Sequence, residues 1–104
     1  MTAPETLTAT ADALVVGGGP AGMSAAIYLA RYNRSVIMFD SGRGRSTHNQ
    51  VNHNYLGFPD GVPIQRLREL GRAQLAHYPN VAVHEVTVDR LSRTTASSCT
   101  VTSG

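Results

Sequence analysis

Asp12-Ala13-Leu14-Val15-Val16-Gly17-Gly18-Gly19-Pro20-Ala21-Gly22 is the stretch from which the fold can be read. Its apolar run, Ala13 to Val16, stops abruptly at Gly17. Apolar side chains on consecutive positions suit a strand buried on both faces of a parallel sheet. From Pro20 the composition turns to Ala, Met, Leu and Ile, with no further Gly or Pro between Gly22 and Tyr32. A helix is therefore expected over residues 20–32, with the small Ala25, Ala26 and Ala30 permitting close packing on the sheet. Asn33, which tolerates the left-handed conformation, is expected to end it. Val36-Ile37-Met38-Phe39 reads as a second buried strand, closed by Asp40.

The turn between strand and helix satisfies G-x-G-x-x-G, a weak pattern alone. Here a strand precedes it, a helix follows it, and an acid ends the next strand about twenty residues on. Gly17 allows the tight turn. Gly19, without a Cβ, lets a pyrophosphate approach the backbone, and Gly22 lets the helix pack closely on the strand. Pro20, Ala21 and Gly22 open the helix, whose unpaired N–H groups and positive dipole end attract an anion. Asp40 accepts hydrogen bonds from ribose hydroxyls and repels a 2′-phosphate, which favours FAD or NAD over NADP.

Outside this unit, residues 1–11 read as a flexible leader of Thr, Ala and Pro. Residues 41–62 show no periodicity, and a structureless stretch of roughly twenty residues is usually functional or disordered. Pro63 opens a second helix carrying Ile64, Leu67, Leu70 and Leu75, closed at Tyr78-Pro79. Val81 and Val83 alternate as a third strand. Val86 and Val88 alternate in the opposite phase, so a break falls near Glu85. Residues 90–104 read as the turn and second strand of a hairpin, with Thr100, Val101 and Thr102 in that strand. The sum is an α/β fold, the front half of a Rossmann-like nucleotide-binding domain with a parallel sheet, a βαβ start and a C-terminal β-hairpin.

Composition narrows the function classes. A chain of 104 residues, 41% hydrophobic and 15% charged, is one globular domain and not a charged disordered tail. Nine Arg and no Lys against seven acids leave a net charge of +2, too small and scattered for a nucleic-acid binder. Cys99 has no cysteine partner, which excludes an internal disulfide or a Cys-x-x-Cys pair within these residues. No apolar run approaches the ~20 residues of a membrane helix, and the first residues lack the form of a secretory signal. A cytoplasmic location is the expectation.

The segment from Val15 through the glycine turn to Arg31 resembles the opening of FAD-dependent pyridine nucleotide-disulfide oxidoreductases, and most of all the thioredoxin reductase-like group. Asn54-Tyr55-Leu56-Gly57-Phe58-Pro59-Asp60-Gly61-Val62 is similar to that family's asparagine–aromatic–Pro–Gly–Phe stretch, which lies along the flavin. The resemblance spans residues 12–91. It implies FAD as cofactor and NAD(P)H as electron donor in the parent enzyme, with hydride passing to FAD and electrons onward to a disulfide or other acceptor. Residues 12–104 would be the N-terminal part of the FAD-binding domain, inactive alone, because the family continues with a nicotinamide-binding domain that carries the redox cysteines.

The implied cofactor contacts are Gly17, Gly19, Pro20, Ala21 and Gly22 at the pyrophosphate; Asp40, Ser41, Gly42 and Arg45, with Arg43, at the adenosine end; Asn54 along the flavin; and the backbone of Val86 near the adenine. His53 stands beside Asn54 and could modulate flavin or substrate protonation. No catalytic residue and no metal site is assigned, since His48 and His53 lack further ligands close in sequence. The implied partners are a small-molecule cofactor and a redox substrate, with no nucleic acid and no membrane, and a homodimer is compatible. Asp40 stands where the family usually has Glu, residues 42–48 replace a Gly-Gly-Gln segment, and Leu56 replaces the usual Pro. These departures leave two alternatives, a flavin-dependent dithiol oxidase and a non-catalytic dinucleotide-binding module.

Overall fold

Val36, Met38 and Phe39 are almost completely buried, and the strand that carries them, β3 (Val36–Phe39), is the middle of a three-stranded parallel sheet. The computed structural model describes residues 5–42, 51–93 and 98–103, with side chains described for 10–42 and 51–93. On one side β3 pairs with β2 (Ala13–Val16) and on the other with β6 (Val81–His84), so that Ala13, Val36 and Val81 lie in line. Successive side chains of a strand point to opposite faces, and the two faces of this sheet are covered differently.

On one face lie α1 (Pro20–Arg31) and α2 (Ile64–Leu75). Met23 and Ala26 of α1 and Leu75 of α2 join Val36 and Met38 in the main core, with Val15, Ile27, Leu29, Val81 and Val83 at its margin. Burying a side chain such as Met38 contributes about 1.5–3 kcal/mol. The two helices meet through Gly71, where a Cβ would stand 2.6 Å from the Met23 sulfur. A side chain here would have to displace the end of the Met23 side chain, which is otherwise buried between the helices.

Phe39 points to the other face. It packs against Leu14, Ile37, Val86 and Val88 and stacks on His84 with ring centres 5.8 Å apart. Val88 begins β7 (Val88–Arg93), which forms an antiparallel sheet with β8 (Ser98–Ser103) and β1 (Glu5–Thr10), in the order β1-β8-β7. A short ladder, β4 (Val51–Asn52) with β5 (Val62–Pro63), lies within the long connection.

Most expected elements are present. β3 has its expected bounds, β6 carries Val81 and Val83, and residues 85–87 separate β6 from β7 where the phase changes. Helix α1 ends at Arg31, one residue early, through Asn33 at φ 62°. The N–H of Asn33 donates to the Ala30 carbonyl at 2.9 Å and that of Arg34 to Leu29 at 3.0 Å, the paired bonds of a Schellman motif. Asn80 completes this cap from the turn before β6, its amide Nδ2 donating to the carbonyls of Ala30 and Arg34 at 3.0 and 2.8 Å.

Several expectations are corrected. Residues 5–10 are not part of a flexible leader: Glu5–Thr10 alternates Thr with Leu and Ala, a pattern that suits a strand, and it pairs with β8 along its length. β2 is covered on both faces, Val15 against the helix-side core and Leu14 against Phe39, but only partly, and its last residue Val16 is 54% exposed. Ala25 is exposed, leaving Ala26 and Ala30 as the small residues against the sheet. Pro63 is the N-cap of α2 and not its first residue, and α2 stops at Leu75, with a turn before Tyr78-Pro79. Residues 90–93 belong to the first strand of the hairpin, whose second strand is the longer Ser98–Ser103. Among the described residues no helix is long and apolar enough to cross a membrane.

The amino ends of β2 and β3 are tied by a side-chain latch. Asp12 Oδ2 accepts the Ser35 N–H at 2.8 Å and its hydroxyl at 3.2 Å, and Ser35 Oγ accepts the Asp12 N–H at 2.8 Å. The Ser35 N–H above all, which outweighs the desolvation of the group and is helped by the Ser35 hydroxyl and Arg34, holds the Asp12 carboxyl below its ordinary 3.8. A folded-state pKa lowered in this way gives stability that is present above the ordinary value and lost as pH falls through the folded one. Asp12→Ala is therefore expected to lower the urea midpoint of the full-length protein at pH 7, and the difference should shrink as the pH falls below 4. A difference independent of pH would show that the latch does not depend on the Asp12 charge.

Candidate functional site

The carboxyl ends of β2, β3 and β6 bring Gly17, Asp40 and Glu85 to one edge of the parallel sheet, where open α/β sheets receive ligands. Gly17 has φ 107°, and a Cβ there would meet nothing within 4 Å, so its backbone conformation alone requires glycine. Its N–H donates to the Phe39 carbonyl at 2.8 Å, which fixes the turn to β3. Gly19 is extended, with φ −77°, and is the N-cap of α1. Among the described residues no side chain caps that helix, and no acid lies in its first turn, so its N–H donors and positive dipole end are suited to an anion.

Gly22 has the role expected of it. A Cβ there would collide with the Gly17 carbonyl oxygen and crowd Val15 Cγ1 at 3.2 Å. Gly18, an unspecified position of the pattern, is equally constrained: a Cβ would run into the Asp40 carboxylate, with Asp40 Cβ itself at 2.7 Å. Sequence reading assigned Gly18 no role, because the group it must clear comes from a different strand.

Asp40 is only 6% exposed. Its Oδ1 accepts the Gly42 N–H at 3.0 Å, and its Oδ2 accepts Arg68 Nη2 at 2.8 Å and Arg72 Nη1 at 3.1 Å. Arg72 Nη2 also reaches Glu85 Oε1 at 3.1 Å. Neither arginine was foreseen. They lie four residues apart, hence on one face of α2, and that spacing was the available signal, though nothing in it names Asp40 as their partner. The repulsion of a 2′-phosphate expected from a bare carboxylate is offset by these two guanidinium groups. By contrast the Arg66–Glu69 pair is 3.4 Å long and solvent-exposed, of a kind that contributes little.

A cleft of about 570 Å³ opens beside Asp40, walled by Ser41 and Gly42, by Gln65, Arg68, Glu69 and Arg72 of α2, and by Glu85. Of the expected contacts, Asp40, Ser41 and Gly42 line this cleft, and Gly17, Gly19, Pro20, Ala21 and Gly22 form the turn next to it. Val86 follows β6, but its side chain packs on Phe39. Asn54 and His53 are exposed in the connection between β4 and β5. Tyr55 and Phe58 of the same connection line a second, apolar cavity of about 290 Å³ with Pro20, Met23 and Leu67. Arg43, Arg45 and His48 lie outside the described residues.

The arrangement fits an adenine dinucleotide: a glycine turn that added Cβ atoms would obstruct, an uncapped helix start, and a carboxylate beside a cleft. The family model for pyridine nucleotide-disulphide oxidoreductases matches residues 11–100. The thioredoxin reductase tcpT of Claviceps purpurea is 41% identical over 75 residues, which are 71% of this chain and 23% of that protein. NADPH-dependent thioredoxin reductase 3 of Arabidopsis thaliana is 35% identical over 92 residues, 82% of this chain and 17% of its own length. A putative thioredoxin reductase from Bacillus anthracis superposes with a TM-score of 0.77 at 27% identity, covering 88% of this chain and 30% of that one. An oxidoreductase from Agrobacterium tumefaciens gives 0.73 at 28%, covering 83% and 29%. The chain spans about a quarter or less of the length of the curated relatives it matches.

The three glycines make a graded prediction. Gly17→Ala meets open space and bears only backbone strain, a cost of about 1–3 kcal/mol. Gly22→Ala must displace the Gly17 carbonyl and is expected to cost more. Gly18→Ala is expected to push the Asp40 carboxylate away from Arg68 and Arg72, again at greater cost than Gly17→Ala. Urea midpoints of the full-length protein and its three variants measure the order, and a Gly18→Ala protein as stable as the parent would show that Asp40 does not rest on Gly18.

Proposed function

The chain belongs to the pyridine nucleotide-disulphide oxidoreductase family, and on that premise we propose that it is the dinucleotide-holding front of a thioredoxin reductase-like enzyme that uses FAD, with NADPH as electron donor. The observation that carries this reading is the conjunction, at one sheet edge, of the left-handed Gly17, the uncapped start of α1 and Asp40. The relatives' names support a reductase over a dithiol oxidase or a non-catalytic module, and one of them specifies NADPH.

Bound FAD would accept hydride and pass electrons to a disulfide, chemistry that belongs to the cofactor. The residues of this chain bind and orient. The N–H groups of Ala21 and Gly22 donate toward the pyrophosphate, and Gly19 leaves its backbone open to it, beside Pro20. Asp40 would offer an acceptor to the adenosine ribose, with Ser41 and Gly42 beside it in the cleft; Arg45 is proposed as a further contact from the sequence alone. The backbone of Val86 serves the adenine, and Asn54 lies along the flavin. A redox substrate reaches the other end of the cofactor in the whole protein.

Gly19→Val tests the reading. The φ of Gly19 is one that any residue adopts, so the variant is expected to fold, while its side chain occupies the approach of the pyrophosphate. The full-length parent should show oxidised flavin absorbance near ~450 nm and bleach with NADPH. The variant should keep its far-ultraviolet circular dichroism and lose the flavin. Stoichiometric flavin in folded Gly19→Val protein would sink the assignment.

A further inference from the structure

Asp40 is held from every side by groups of this chain. Gly18 backs the carboxylate without a side chain, the Gly42 N–H takes Oδ1, and both arginines of α2 take Oδ2. An ionised carboxylate offers about four acceptor positions. Among the described residues three are in use, and the remaining one is on Oδ1. The arginines are themselves fixed. Arg68 is 14% exposed at its side chain, the second nitrogen of Arg72 is bound to Glu85, and α2 is seated through Gly71 on Met23 of α1, the helix that follows the glycine turn. Buried ion pairs are weak stabilisers compared with apolar packing, so the arrangement calls for a geometric explanation.

We propose that Arg68 and Arg72 are positioning residues of the adenosine site: they hold Asp40 so that one acceptor position faces the cleft, and the site therefore recognises a single ribose hydroxyl and not the diol. This rests on the dinucleotide-binding reading above and sharpens it. A carboxylate free to rotate could take both hydroxyls, one on each oxygen. One pinned through Oδ2 can take only one.

The experiment uses the full-length protein stripped of its dinucleotide, with ADP, 2′-deoxy-ADP and 3′-deoxy-ADP as probes in calorimetry. The parent is expected to bind ADP at least about tenfold more tightly than one deoxy analogue, the scale of a hydrogen bond to a charged group, and within about twofold of the other. In Arg68→Gln and in Arg72→Gln the freed carboxylate should take both hydroxyls, so the two deoxy analogues should weaken alike and the ratio between them should fall toward one. A merely structural role would weaken all three probes together and leave the ratio unchanged. Arg68→Lys, which keeps the charge and loses the planar fork, provides a milder variant if the glutamine forms do not fold, and its ratio should fall between those of parent and Arg68→Gln. An unchanged ratio in the folded arginine variants, or equal losses for both deoxy analogues in the parent, would each overturn the proposal. A parent that binds none of the three probes overturns the dinucleotide reading itself, a result distinct from the other two.

Discussion

The hydrogen bond from the Gly17 N–H to the Phe39 carbonyl, followed at once by the left-handed turn of Gly17, is the constraint on which the rest of the site depends. It brings the chain leaving β2 against the end of β3, and the helix that follows must start there. Gly22 then passes over the Gly17 carbonyl with no room for a methyl group, and Gly18 meets the Asp40 carboxylate at the same closeness. Each glycine answers a different demand. Gly17 supplies a backbone angle, Gly22 clears a backbone oxygen, and Gly18 clears a side chain. Among the described residues this turn leaves its helix start without a capping side chain, and this suits it to a ligand.

How much of this was legible follows from how local each interaction is. The bounds of β3 are set by a run of four apolar residues, and Asn33 announces its own left-handed conformation. The phase change between Val83 and Val86 is likewise visible in the residues themselves. Glu5–Thr10 was not legible, because the partner that makes it a strand, Ser98–Ser103, lies at the other end of the sequence. Arg68 and Arg72 show helical spacing, but which group they face is decided by how α2 seats on α1 through Gly71 and Met23. The role of Gly18 is hidden for the same reason, since the side chain it must clear stands on another strand.

The charged cluster also changes how Asp40 is understood. A lone acid at the end of the second strand is a ribose acceptor by virtue of its charge. Here the charge is offset by two guanidinium groups, one of them bridging to Glu85. What the carboxylate presents to the cleft is a direction more than a field. That fits a family in which the protein positions a cofactor and leaves the electron transfer to it.

The two ends of the parallel sheet are fastened by different kinds of bond. At the amino end, Asp12 grips Ser35 and Asn80 grips the carbonyls of Ala30 and Arg34, short contacts in which one partner is usually the main chain. At the carboxyl end, α2 is joined to Asp40 and Glu85 by ions alone. The buried Asp40–Arg68 pair is screened little by dissolved salt, whereas the Arg72–Glu85 pair, whose acid is 80% exposed, is screened more. Added salt should therefore loosen the outer Arg72–Glu85 link before it reaches the Asp40 pair, at the end of the sheet where an anionic dinucleotide would enter.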